Sequence, residues 1–234
     1  WKLKEGVVDS SPLSDTPRPG NAKFKKLTPV DPNSTNPYQL TEADRTVIGN
    51  TTPKFSGGFG LNATYKGFDM SMFFNFMYDF DVLNANKIML TTWADNKENN
   101  FLMNIASDKR WRNFDDMGNE IRYSPEVLAE FNKNATMWNP TSIGRPICMS
   151  YAVEDGSFLR LSTLTVGYTF PQRWLSRLGV KSLRLYFSGS NLFTLTGYSG
   201  YDPEVNIQKG LTPGIDNNVT PRSRVYTLGM NLNF

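Results

Sequence analysis

The sequence predicts an all-β fold: an antiparallel transmembrane β-barrel segment with long extracellular loops. Three observations predict it. Phe55 to Tyr78 holds two long runs of alternating apolar and polar side chains, joined at Lys66-Gly67. The same alternation returns near 158–170, 181–192 and 223–234. The segments around these runs are alternately long and short, in strict order.

Taken in order, Trp1 to Val8 reads as the end of an earlier strand. Asp9 to Thr52 is rich in Pro, Asn, Ser and Thr. Ser11-Pro12, Arg18-Pro19-Gly20, Asp31-Pro32-Asn33 and Asn36-Pro37 mark turns, so 9–54 is a long loop with a short strand expected at Lys23–Leu27. The run 55–65 puts Phe55, Gly57, Phe59, Leu61, Ala63 and Tyr65 on one face and mostly polar residues on the other. The run 68–79 puts Phe68, Met70, Met72, Phe74, Phe76 and Tyr78 opposite Asp69, Ser71, Phe73, Asn75, Met77 and Asp79. Side chains on a strand alternate between faces, and a short Gly-containing link makes the two runs a hairpin. Both runs reach the roughly 9–11 residues that a membrane-crossing strand needs. Aromatics gather at the two ends of the hairpin, as in the girdles of an outer-membrane barrel.

The segment 80–157 shows no sustained period of two. Ser124-Pro125-Glu126 marks a helix start, with a short helix expected from Pro125 to about Asn132. In the run 158–170, Leu164, Val166, Tyr168 and Phe170 share a face, while the aliphatics of Phe158-Leu159-Arg160-Leu161 have the opposite parity. A bulge near Ser162 reconciles them. Pro171 to Gly179 is a compact turn with one helical turn at Trp174–Leu178. The run 181–192 alternates through Leu183, Leu185 and Phe187, and 193–222 is a third long loop. The last run, 223–234, aligns Tyr226, Leu228, Met230, Leu232 and Phe234. Short turns on one side of the membrane and long loops on the other are the barrel pattern. Five strands cannot close, and open edges are not tolerated in hydrocarbon. Residues 1–234 are therefore expected to be the C-terminal portion of a larger barrel.

Composition narrows the function classes. Mean hydropathy is −0.43, and no apolar run approaches the roughly 18 residues of a transmembrane helix. Barrel strands, polar at every second position, pass unnoticed by such a measure. A net charge of +3 is too small to argue for nucleic acid. Cys148 stands alone, so no internal disulfide is possible, and the absence of histidine removes His-based triads and the commonest metal ligand. No signal peptide is visible at Trp1, so the chain is expected to be mature or a fragment.

Several stretches together resemble the SusC/RagA family of TonB-dependent outer-membrane transporters. They are Asp44-Arg45-Thr46-Val47-Ile48-Gly49-Asn50 with Pro53-Lys54-Phe55, Tyr65-Lys66-Gly67-Phe68-Asp69, Val153 to Leu161, Gly167-Tyr168-Thr169-Phe170-Pro171, Ser190-Asn191-Leu192-Phe193-Thr194, Gly200-Tyr201-Asp202-Pro203-Glu204, and Pro221-Arg222 with the last strand. The resemblance runs in family order from about residue 44 to the end. It implies a plugged barrel of about 22 strands, whose plug and TonB box are not in this sequence. It implies no enzyme activity and no cofactor. The implied partners are a SusD-type surface lipoprotein, TonB, outer-membrane lipid and an oligomeric glycan or peptide substrate. It also makes the terminal run Tyr226, Leu228, Met230, Leu232 and Phe234 similar to the signal read by the barrel-assembly machinery. One stretch departs from the family. Where many members carry an acidic Asn-Gly-Asp-Gly-like loop, Leu27 to Thr35 lacks the repeated oxygen ligands of a calcium loop, so no metal is assigned.

Candidate contacts are aromatic. Trp93, Trp111 and Trp138, with Phe101, Phe114, Tyr123 and Phe131, lie in the 80–157 loop. They suit the loop's own core, the lipoprotein interface or the substrate, since Trp and Tyr anchor interfaces. Tyr198, Tyr201, Asp202 and Glu204 pose the same question. Met70, Met72, Phe74 and Phe76 are expected in lipid, and Asp69, Asn75 and Asp79 in the lumen. Arg160 and Arg184 suit lumen or rim charges. Asp108, Asp115, Asp116, Glu120 and Glu126 form an acidic loop with no fixed separation, unlike paired glycosidase carboxylates. The alternative architecture is a secreted β-sandwich binding glycan through aromatic loops. It would need Met70, Met72, Phe74 and Phe76 in a dry core beneath a second sheet.

Overall fold

The computed structural model describes residues 19–22, 24–30, 32–33, 40–92, 102, 109–142, 147–176, 179–205 and 213–234. They fall into two compact units, one of residues 49–84 and 153–234, the other drawn from 1–48 and 85–152.

The first unit holds the long strands. β1 (Phe55–Tyr65) and β2 (Phe68–Tyr78) pair antiparallel, with Phe55 opposite Tyr78 and Tyr65 opposite Phe68. Lys66 and Gly67 both take positive φ, 44° and 88°. That is the pattern of a type I′ turn, whose twist matches that of the flanking strands, and glycine adopts such an angle without steric cost. β3 (Asp81–Asn84) and β4 (Val153–Asp155) are short. β5 (Phe158–Thr169) and β6 (Ser182–Thr196) follow, then the two-residue β7 (Ile215–Asp216) and β8 (Val225–Asn233).

The long strands form a sheet in the order β1-β2-β5-β6-β8, every neighbour antiparallel. It is an up-and-down meander. Both short connections, Lys66-Gly67 and 170–181, lie at one end of it, and every long segment leaves from the other. Among the described residues the sheet is open: β1 and β8 each pair on one side only.

The register accounts for the parity change near Ser162. Phe73 and Phe74 of β2 are consecutive, their partners Thr163 and Leu161 on β5 flank one extra residue, and the partners of those on β6, Ser190 and Phe193, flank two. The bulge thus widens from strand to strand. Asn191 sits in it at φ 54°, a conformation asparagine tolerates better than most residues. This bulge explains one difference from expectation. Alternation loses phase at 191–192, yet pairing resumes at Phe193 and carries β6 to Thr196, so the third long loop begins at Gly197. Asp79, expected on the polar face, lies beyond the end of β2 at φ 58°, ion-paired with Lys54.

A second sheet was not expected. β4 pairs antiparallel with β3, and β7 pairs parallel with β3, at the long-segment end. Phe80, Val82, Phe158, Tyr198 and Val205 form the buried core there, with Met77 and Val219 against it. Strands of four, three and two residues are too short to cover the large sheet as a sandwich partner would.

The second unit contains α1 (Ala85–Met89) and α2 (Pro125–Phe131), the latter with Pro125 in its first turn, where its missing N–H costs nothing. Residues 24–27 are not a strand. α3 (Gln172–Leu175) belongs to the first unit and starts two residues before the expected position. No helix among the described residues is long and apolar enough to cross a membrane, which says nothing about strands.

Candidate functional site

One face of the meander is apolar across all five strands. Register lines up Leu61, Met72 and Leu164, then Ala63, Met70, Val166, Phe187 and Leu228. Met70, Met72, Phe74 and Phe76 are half-buried because strands flank them on both sides. No described residue covers the face: Leu61 is 50% exposed and Leu228 85%. Phe55 stacks on Tyr78 at the long-segment end. At the other end Phe68, Tyr168, Phe170 and Trp174 form a chain of rings with centroids 4.5, 5.0 and 6.2 Å apart.

The opposite face is polar and carries a clasp. Arg184 on β6 reaches over β5 to Asp69 on β2, donating from Nη2 at 2.5 Å and Nε at 3.0 Å to the two carboxylate oxygens. The intervening residue on β5 is Gly167. A Cβ there would stand 2.5 Å from Arg184 Nη2 and 2.7 Å from Asp69 Oδ1. The absence of a side chain is what lets the bidentate pair span three strands. Asn75, on the same face, receives a hydrogen bond from Ser162 in the bulge.

At the long-segment end charges are buried rather than displayed. Arg160, 2% exposed, donates to Asp202 at 2.5 Å and lies 3.8 Å from Glu204. Arg222 donates to Glu204 at 2.6 Å, and its backbone N–H points at Asp202. Burial alone would raise the Asp202 carboxyl, but the Arg160 hydrogen bond, the Glu204 N–H and the Arg160 charge outweigh it and hold Asp202 below the usual carboxylate range. Tyr198 donates its hydroxyl to Asp216 at 2.7 Å; burial, then the Asp216 hydrogen bond, push that phenol far up.

The aromatic candidates separate by burial. Trp111 is 8% exposed, in a core with Ile121 and Leu128 and with Ala135 beside them; its ring lies directly against Gly20. Tyr198 is 6% exposed. Of the three roles open to these residues, burial of both rings favours loop core, because each ring packs in the interior of its own unit. Trp138 is half-buried, edge-on to Tyr151 at 4.7 Å, with the Lys87 ammonium over Tyr151. Tyr201 is 85% exposed. Trp93, Phe101 and Asp108 lie outside the described residues. In the acidic loop, the Asn119 side chain, then the backbone N–H groups of Asn119, Met117 and Gly118, hold Asp115 low as a turn former. Asp116 pairs with Arg112 and Glu120 with Arg122. These partners are structural, and among the described residues of the loop no two carboxylates are paired.

Two residues escaped the sequence reading. Asp44, inside the Asp-Arg-Thr stretch, accepts N–H groups from Leu27, Thr28 and Thr41 and the Thr28 hydroxyl, tying two parts of its unit together. Asn132, buried behind α2, bonds the backbone of Arg112 in both directions. Neither leaves a periodic signal, since its partners are backbone atoms distant in sequence.

No family model matches the chain. It is 33% identical over 236 residues to TonB-dependent receptor P3 of Formosa agariphila, a match covering 98% of this chain and 20% of that protein. It is 37% identical over 86 residues to TonB-dependent receptor SusC of Bacteroides thetaiotaomicron, covering 36% of this chain and 8% of that protein. The RagAB peptide importer in its closed-closed state superposes on 84% of this chain, and on 19% of its own, with a TM-score of 0.62 at 22% identity. At that identity the likeness is one of fold. The chain spans about a fifth of the length of the curated relatives it matches over nearly its whole extent.

Proposed function

Because the chain is homologous to TonB-dependent receptors of the SusC/RagA family and corresponds to a fragment of those larger proteins, we propose that it is the C-terminal part of an outer-membrane barrel that imports oligomeric nutrients. Its strands form barrel wall. The apolar face meets lipid through Met70, Met72, Phe74 and Phe76, and the polar face, with the Asp69–Arg184 clasp, lines the lumen. The long segments are extracellular loops, and the short turns face the periplasm. Further strands of the same receptor pair with the free edges of β1 and β8. A plug and TonB box elsewhere in the receptor couple import to TonB. A SusD-like surface lipoprotein docks on the loops, with Tyr201 and Trp138 as contact candidates, and the cargo is a glycan or peptide. Tyr226, Leu228, Met230, Leu232 and Phe234 serve barrel assembly.

The observation that carries this reading is the uncovered apolar face on an open meander. Water would penalise that face and hydrocarbon would not tolerate the open edges, so a membrane with further strands satisfies both. The test is the intact mass of the native protein purified from membranes, with whatever co-purifies. A subunit several times 26.5 kDa with a lipoprotein companion is expected. A stable, water-soluble 26.5 kDa monomer would overturn the proposal.

A further inference from the structure

The short-turn end of the sheet combines a groove with a one-signed rim. The groove opens on the apolar face and is lined by Phe68, Val166, Tyr168, Leu185, Phe187 and Leu228, with a volume of about 420 Å³. It is an open depression of the sheet surface, whereas enclosed small-molecule clefts run to about 300–1,000 Å³. Such clefts usually set a few polar groups among apolar ones, and this one presents carbon alone. Its occupant is therefore hydrocarbon.

The rim beside it is basic. The two short connections, 66–67 and 170–181, contain Lys66, Arg173, Arg177 and Lys181 and no acidic residue. Lys66, Arg173 and Lys181 are exposed. Lys66 lies over the Tyr65 ring and Arg173 over Trp174, so each of these cations rests on an aromatic face at this end. The opposite end of the same unit mixes signs: Asp79 pairs with Lys54, and Asp202 and Glu204 with Arg160 and Arg222, beside Asp81, Glu154 and Asp155. The basic short turns lie next to the mouth of the groove: Phe68 follows Lys66-Gly67 directly, and Tyr168 lies opposite both Phe68 and Leu185. The turns are two strand spacings apart, about 10 Å, which lets one diester group lie between their cations.

We propose that this end is a binding site for an anionic phospholipid. One acyl chain lies in the groove, and the phosphate is held by Lys66, Arg173 and Lys181. The proposal rests on the membrane reading above and adds a lipid class and a place to it. Each basic residue near an anionic surface contributes about fivefold in binding.

The test uses the full-length receptor purified from membranes in mild detergent, with lipid retention read by native mass spectrometry. The probes are phosphatidylglycerol and, as zwitterionic control, phosphatidylcholine of the same acyl chains. The wild type should retain phosphatidylglycerol preferentially. The double substitution Arg173→Gln with Lys181→Gln, at exposed positions, should lower phosphatidylglycerol retention roughly 25-fold and leave phosphatidylcholine unchanged. Leu228→Trp, which closes the groove from its exposed side, should lower retention of both. Equal retention of the two lipids by the wild type, or an unchanged preference in the double variant, overturns the lipid site while leaving the barrel intact. A full-length receptor absent from the membrane fraction overturns the membrane reading itself.

Discussion

Met72 sits in mid-strand, opposite Leu61 on one side and Leu164 on the other. A charge there meets whatever the apolar face meets. Met72→Arg should destabilise the receptor by about 2–4 kcal/mol if the face lies in the bilayer midplane; folding as efficient as wild type in lipid vesicles would refute that placement. Trp111 belongs to a different problem. It is core, so Trp111→Ala should cost about 3–5 kcal/mol, seen as lost amide protection across residues 111–137, and substrate binding should weaken only as far as that unit loosens. Asp44 gives the pH dependence. The Thr28 and Thr41 N–H groups, the largest influences, hold its carboxyl well below the ordinary range. A depressed carboxylate stabilises the fold at neutral pH, and that contribution is lost as pH falls through the folded value, below the range where an unfolded Asp titrates. Exchange protection at Leu27, Thr28 and Thr41, corrected for intrinsic rates, should therefore persist to acid pH and then collapse. Asp44→Asn should show low protection at every pH.

At the scale of the element, β5 is the strand on which the sheet depends. It lies at the centre of the meander and has the bulge at Ser162, the clasp's gap at Gly167 and the buried Arg160. Gly167→Val should break the clasp as completely as Arg184→Ala, because the new side chain must occupy the space of the guanidinium. The two substitutions combined should be no worse than either alone, which a double-mutant cycle on thermal stability would check. Additive losses would mean that the clasp contributes nothing and that the valine acts only through the strand. The short strands β3, β4 and β7 have a separate function: they close the end of the sheet where the chain leaves for its long excursions. Their shared core buries Phe80, Val82, Tyr198 and Val205, which strand alternation did not assign.

For the whole molecule, the two free edges set the behaviour. Among the described residues the outer edges of β1 and β8 have no strand partner, and such edges template association with other chains. Residues 1–234 expressed alone, in detergent, should therefore sediment as oligomers. A monodisperse monomer of the isolated chain would show that its edges are protected within the chain itself.

Much of this was written in the alternation of side chains. Period two placed the five long strands, and the spacing of turn residues placed the short connections on one side and the long ones on the other, because both are local consequences of backbone geometry. The parity conflict at Ser162 announced the bulge; its widening to two residues at Asn191-Leu192, and hence the true end of β6, did not show, since a bulge erases the phase by which a strand is recognised. The small sheet was invisible, because strands of two to four residues carry no measurable period. Which aromatics are core and which are exposed was likewise undecidable from composition: Trp111 and Tyr201 differ in burial, not in kind. The Asp69–Gly167–Arg184 clasp and the Arg160–Asp202 pair required three strands or a distant loop to come together. Local periodicity belongs to the sequence alone; contacts between distant residues exist only once the register is set, and only the tertiary structure decided them.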